Sequence, residues 1–110
     1  MDVVREFQQG AVRLHILHHA AANEVHGAWL SGELARHGFH ISPGTLYPLL
    51  HRMQTAGLLI SRQVVVGGHT LRTYRATRKG RQALTECRNA LRELSAELLP
   101  KRSAPDRRTH

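Results

Sequence analysis

Apolar side chains recur every three or four positions between residues 4 and 21, at Phe7, Ala11, Leu14, Leu17 and Ala21. That spacing predicts an amphipathic helix with these residues as its apolar stripe. Asn23 and the Gly27 region interrupt it. A shorter helix follows over 27 to 37, with Leu30 and Leu34 inward, and it stops at Gly38. After a short turn, SPGTLYPLLHRMQTAG over 42 to 57 places Leu46, Leu49, Leu50 and Met53 on one helical face. Two runs rich in β-branched and apolar residues, 58 to 66 and 70 to 76, flank Gly67-Gly68-His69 and predict a hairpin with a glycine-rich tip. Thr77 then caps a last helix that runs to about Leu99, before Pro100.

The third helix has an unusual start. Ser42 is a good N-cap, since its hydroxyl can accept a backbone N–H that has no partner inside the helix. Pro43 at the first helical position sacrifices no hydrogen bond, and Gly57 ends the helix. Pro48 is costly, because it removes the bond to the Gly44 carbonyl and crowds it. A first turn bare of bulk and slightly opened suits a partner that approaches very closely. Its free N–H groups and positive helix end favour a phosphate at Ser42 to Thr45.

Charge sharpens this picture. The 110 residues carry 16 Lys plus Arg against 8 Asp plus Glu, a net charge of +8. Between Leu34 and Leu84 there is no acidic residue, while Arg36, Arg52, Arg62, Arg72, Arg75, Arg78, Lys79 and Arg81 lie inside that span. A solvated basic face would explain it blandly; an electrostatic footprint for a phosphate backbone explains why the third helix lies near its middle. Cys87 is the single cysteine, so no internal disulfide is possible, and no apolar run is long enough to span a membrane. A soluble, cytoplasmic protein is expected.

Helix, helix, helix, two-stranded hairpin, helix is the order of a winged helix-turn-helix, so the fold class is mainly α with a small β-hairpin. The expected organisation is a DNA-binding domain over 1–77, a dimerisation helix over 78–99 and a disordered basic tail over 100–110. In such a domain the third helix lies in the major groove with its N-terminal end near the bases. Ser42, Gly44, Thr45, Tyr47, Pro48, His51 and Arg52 are then the DNA-facing residues of the helix, and Gly68, His69 and Arg72 those of the wing. Tyr47 offers a ring for a sugar or thymine methyl and a hydroxyl for phosphate; its ordinary alternative is a packing residue.

The run SPGTLYPLLHRMQTAGLL resembles the signature of PadR-type transcriptional regulators. RTYRATRKGRQAL, with Tyr74, Thr77, Gly80 and Leu84, is similar to that family's second strand and the start of its last helix. With LHILHHAAANEVHGAWL, the likeness extends from residue 5 to about residue 99, and it matches the short members with one C-terminal helix. Where the family usually has an aromatic directly after the glycine of the second helix, Ala28 stands and Trp29 follows. The resemblance implies a dimeric bacterial repressor that binds double-stranded DNA at a palindromic operator and is released by a small-molecule or metal effector.

The last helix points to a dimer independently. Leu84, Cys87, Leu91, Leu94 and Leu98 follow the three-four spacing of a coiled-coil seam. That seam is too short to hold alone, so Phe7 and Leu14 of the first helix are expected to complete the interface. Cys87 falls on the seam and reads as a small buried hydrophobe.

His15, His18 and His19 fall at i, i+3 and i+4, a spacing that can ligate a metal. No Cys-x-x-Cys, carboxylate cluster or His-Glu-x-x-His accompanies them in sequence, so packed or solvated histidines are the preferred reading. No metal or other cofactor is assigned, and no catalytic constellation is recognisable. A winged-helix module for protein contacts, or a metal-binding switch without specific DNA recognition, is the alternative function.

Overall fold

The computed structural model describes residues 1–101, so the basic tail expected over 100–110 lies outside the described residues except for its first two. Helix α1, Val3–Ala22, starts where the Asp2 carboxylate accepts the Arg5 N–H at 3.0 Å, and Glu6 adds negative charge beside the positive helix end. Its core face is Val12, Ile16, Leu17 and Ala20, which differs from the predicted stripe. Of that stripe only Leu17 is buried; Leu14 and Ala21 are half-buried and Phe7 is 64% exposed. The reason is that α1 has two apolar faces of similar period, and only one of them meets the core.

A two-residue strand β1, Val25–His26, follows and was not expected from the pattern. It pairs antiparallel with the second hairpin strand, Val25 opposite Tyr74 and His26 opposite Thr73, so the sheet has three strands rather than two. His26 also caps helix α2, Gly27–Arg36, by accepting the Trp29 N–H on Nδ1 at 3.3 Å. Leu30 and Leu34 are fully buried, as expected.

Helix α3, Pro43–Thr55, buries Leu46, Leu49, Leu50 and Met53. Its end is a two-bond glycine motif: the Gly57 N–H reaches the Gln54 carbonyl and the Leu58 N–H the Met53 carbonyl, both at 2.9 Å, with Gly57 at φ +80°. Strands β2, Leu59–Val66, and β3, His69–Ala76, form the wing in a register that sets Val66 opposite His69. Gly67 and Gly68 make the turn with φ of +57° and +78°, the two positive values that a two-residue hairpin of the favoured twist needs. His69 therefore belongs to the strand, not the tip.

Helix α4, Arg78–Leu98, is anchored at one corner. The Thr77 hydroxyl accepts the Gly80 N–H at 3.0 Å and donates to the Gly57 carbonyl at 2.5 Å, while Lys79 Nζ donates to the Ala56 carbonyl at 2.9 Å. Only Gly80 and Leu84 of this helix are buried, and its second half extends away from the body. The radius of gyration, 17.2 Å, accordingly exceeds the roughly 13 Å of a compact chain of this length. Among the described residues, no helix is long and apolar enough to cross a membrane.

The corner has no room for a side chain at Gly80, where a Cβ would lie 2.1 Å from the Leu58 carbonyl oxygen. Gly80→Ala is therefore expected to destabilise the fold by about 1–3 kcal/mol, the usual range for overpacking. Gly32→Ala, on a helix surface with nothing within 4 Å, should be neutral or stabilising. Urea denaturation of both variants checks this; equal stabilities would show that α4 is not seated through Gly80.

Candidate nucleic-acid interface

With one face of α3 sealed into the core, Gly44, Thr45, Tyr47, Pro48, His51 and Arg52 are left on its exposed surface, preceded by exposed Ser42. The predicted residues are thus brought together on one side of one helix. Ser42 does not cap in the expected way. Its hydroxyl turns to Thr45 Oγ1 at 3.2 Å, and its carbonyl accepts the N–H groups of Thr45 and Leu46 at 3.0 and 2.9 Å. The neighbouring threonine hydroxyl outcompetes the main chain for it. Pro43 has no N–H, so the first turn leaves the Gly44 N–H without a partner among the described residues, and a Cβ at Gly44 would meet nothing closer than Ser42 Oγ at 3.9 Å.

Tyr47 has two surroundings. It is 45% exposed, yet its ring rests on the backbone of Gly27, where a Cβ would come within 2.4 Å of Cε1. Its ring therefore also locks the start of α2 to α3, and its outward edge is what the surface can use. His51 and Arg52, one turn later, are exposed.

Arg52 shares an open pocket of about 450 Å³ with Arg5 and Arg13 of α1 and with His40. The α1 arginines lie outside the acid-free stretch and were not anticipated. Their signal was available only as eight-residue spacing on α1. Arg13 is steadied by the Gln9 carbonyl at 3.0 Å. The result extends positive charge from α3 onto α1.

Gly68 and His69 are exposed at the wing, beside Val65 and Val66, which are exposed as well. Arg72 is exposed but engaged, donating from Nη1 to Ser61 Oγ at 3.0 Å, and Ser61 donates to Gln54 Oε1 of α3 at 2.8 Å. This relay fixes the wing relative to α3 and leaves Arg72 further donors. Arg62 is withdrawn from any phosphate by Glu24, which it grips at 2.6 and 2.9 Å through Nε and Nη2. Thr73 donates to the same carboxylate, so Glu24 ties β1 to both wing strands.

The predicted seam splits on folding. Leu84 is buried in the core and reaches the groove at its base; with Phe7, Leu14, Cys87, Leu91 and Leu94 it lines an open apolar groove of about 580 Å³ between α1 and α4, and Leu98 is exposed beyond it. Cys87, expected to be buried, is exposed in the single chain because the groove between α4 and α1 is open there.

The histidines divide too. His18 turns to α4, its Nδ1 accepting from Arg88 at 2.7 Å. His15 and His19 face α2, with their Nε2 atoms 3.1 Å apart, and there meet Glu33 and His37. One carboxylate, Glu33, joins them from another helix, a neighbour the linear sequence does not display. Burial, then the neighbouring imidazoles, lowers the pKa of both His15 and His19 and favours their neutral forms.

Hydrogen bonding from Arg62, then from Thr73, holds the Glu24 carboxyl at about 2, against an ordinary 4.5. A depressed carboxylate contributes stability that is present above the unfolded value and lost as pH falls through the folded one. Wild type should therefore melt above Glu24→Gln at neutral pH, and the difference should shrink between pH 4.5 and about 2. Thermal melts across that window test this; a constant difference would remove the ionised bridge from the wing's stability.

The chain matches the family model described as "Transcriptional regulator PadR-like family" over residues 16–86. It is 67% identical over 96 residues to Transcriptional regulator Rv3488 of Mycobacterium tuberculosis, covering 87% of this chain and 90% of that protein. Among solved structures, a PadR-like transcriptional regulator from Bacillus cereus is similar with a TM-score of 0.76 and 32% identity, over 83% of this chain and 90% of that one. A PadR family regulator from Eggerthella lenta matches with a TM-score of 0.73 and 30% identity over 90% of both chains. The winged-helix surface thus has its counterpart in regulators of transcription rather than in enzymes: the chain belongs to the PadR-like family of transcriptional regulators.

Proposed function

We propose that the protein is a homodimeric, sequence-specific DNA-binding repressor that occupies a palindromic operator until an effector releases it. The observation that carries this reading is the exposed face of α3. A helix sealed by four apolar residues on one side offers Gly44, Tyr47, Pro48, His51 and Arg52 on the other, with no acidic residue on it. Gly44 and its unbonded N–H suit a phosphate oxygen, and Arg52 with Arg5 and Arg13 supplies the surrounding positive charge. The outward edge of Tyr47 and the ring of His51 are the groups placed to meet base edges, and the wing tip with Arg72 the group to meet the adjacent backbone.

The dimer follows from the groove between α1 and α4. Leu91 and Leu94 are each 45% exposed there and Phe7 and Leu98 more so, an apolar surface that a second copy's α4 would cover. Two-fold pairing through α4 would present two α3 helices to one DNA duplex, which makes a palindrome the natural target.

Sedimentation should show two chains for wild type and one for Leu91→Glu plus Leu94→Glu, because each Glu would bury an unpaired charge. The monomer should bind an operator duplex about 10²–10⁴-fold more weakly through loss of the second contact. Arg52→Ala should leave the dimer intact and reduce the salt slope of binding by about one. An intact dimer in the double variant, or an unchanged slope in Arg52→Ala, contradicts the corresponding half of the proposal.

A further inference from the structure

We propose that His15, His19, Glu33 and His37 bind one divalent transition-metal ion of the zinc type, clamping α1 to α2. Helix α1 contributes His15 and His19 one turn apart, and they face Glu33 of α2 and His37, the C-cap residue of that helix. Glu33 Oε2 lies 3.6 Å from His19 Nε2 and 3.4 Å from His37 Nε2, and His19 Nε2 lies 3.1 Å from His15 Nε2. One ligand atom each from His15, Glu33 and His37 lies within 4.8 Å of the others. A tetrahedral zinc ion with bonds of 2.0–2.1 Å places its ligand atoms about 3.3 Å apart. Three of the observed separations already bracket that value; His19 approaches His15 and Glu33 but stands outside the mutually close trio, so its ring must turn inward to complete the site.

The donor set decides the class of ion. Three imidazoles and one carboxylate suit zinc, cobalt or nickel, whereas calcium and magnesium take oxygen ligands. The surroundings are those of a built site. Glu33 Oε1 is held by Arg36 at 3.6 Å, which leaves Oε2 toward the histidines. The edge of the His19–Trp29 pair, with centroids 5.1 Å apart at 82°, covers one side, and the Glu33 side chain is only 13% exposed. His18 is outside the site, paired with Arg88.

The clamp bears on DNA reading through α2, whose first residue, Gly27, supports the Tyr47 ring of α3. This consequence rests on the DNA-binding reading above; the metal site does not.

Cobalt(II) chloride titrated into the full-length protein without DNA should give the intense visible bands of a four-coordinate ion, saturating at one equivalent per chain. Zinc chloride should displace it and raise the melting temperature. Glu33→Gln plus His37→Ala should abolish the bands, while His18→Ala keeps them, with circular dichroism confirming that each variant is folded. Absence of a one-equivalent cobalt spectrum, or its survival in the double variant, overturns the site. In a second arm, zinc should change operator affinity by about 5–150-fold in wild type and not in the double variant. An unchanged affinity with the site filled overturns the coupling to DNA.

Discussion

The fold depends on one constraint, that helix α1 must serve three surfaces at once. Val12, Ile16, Leu17 and Ala20 join the one core cluster that also holds the buried residues of α2, α3 and the sheet; α2 and β3 pack directly on α1, and α3 packs on α2 and β2. A domain of this size has a single modest core, so α1 carries much of it. A second face, through Ala11 and Leu14, forms one wall of the groove with α4. A third carries His15 and His19 toward α2. Movement of α1 would therefore be felt in the core, in the α1–α4 groove and at the helix that supports α3.

The α3 surface is held by interactions that are individually small and mutually consistent. The glycine motif at Gly57 ends α3 where Thr77 and Gly80 can seat α4 against it. The Arg72–Ser61–Gln54 relay aligns the wing with α3, and Glu24 binds the wing strands to β1. Burial fixes one side of α3 and polar ties fix its neighbours, so its exposed side is preorganised without strain in its own backbone. Pro48 releases the Gly44 carbonyl in the first turn of α3, and the nearest atom to a Cβ at Gly44 would be Ser42 Oγ at 3.9 Å, an ordinary contact.

Much of this was legible in the sequence, for physical reasons that also mark where legibility ends. The α3 stripe of Leu46, Leu49, Leu50 and Met53 could be read because one face of that helix is buried and the other is not. The wing turn could be read because Gly67-Gly68 supplies the two positive φ angles. Strand β1 could not, since two residues carry no period and their pairing with Tyr74 and Thr73 is a long-range event. The apolar stripe read on α1 did not separate core from groove, because Phe7, Ala11 and Leu14 repeat with the same spacing as the core residues Val12, Ile16, Leu17 and Ala20. That Leu84, at the start of the seam, is also buried in the core could not be read, because a regular helical repeat does not reveal where the body ends. The carboxylate beside His15 and His19 was invisible for the same kind of reason: Glu33 arrives from α2 and His37 from the cap that ends it.

The claim at the centre of this account is that two copies of α3 read one face of a DNA duplex. Hydroxyl-radical footprinting of the wild-type protein on duplexes from its own genomic neighbourhood tests it most directly. The account predicts two protected patches on the same face of the DNA, about one helical turn or roughly 34–36 Å apart and related by a palindrome. A single patch, or uniform protection with no preferred position, would contradict it.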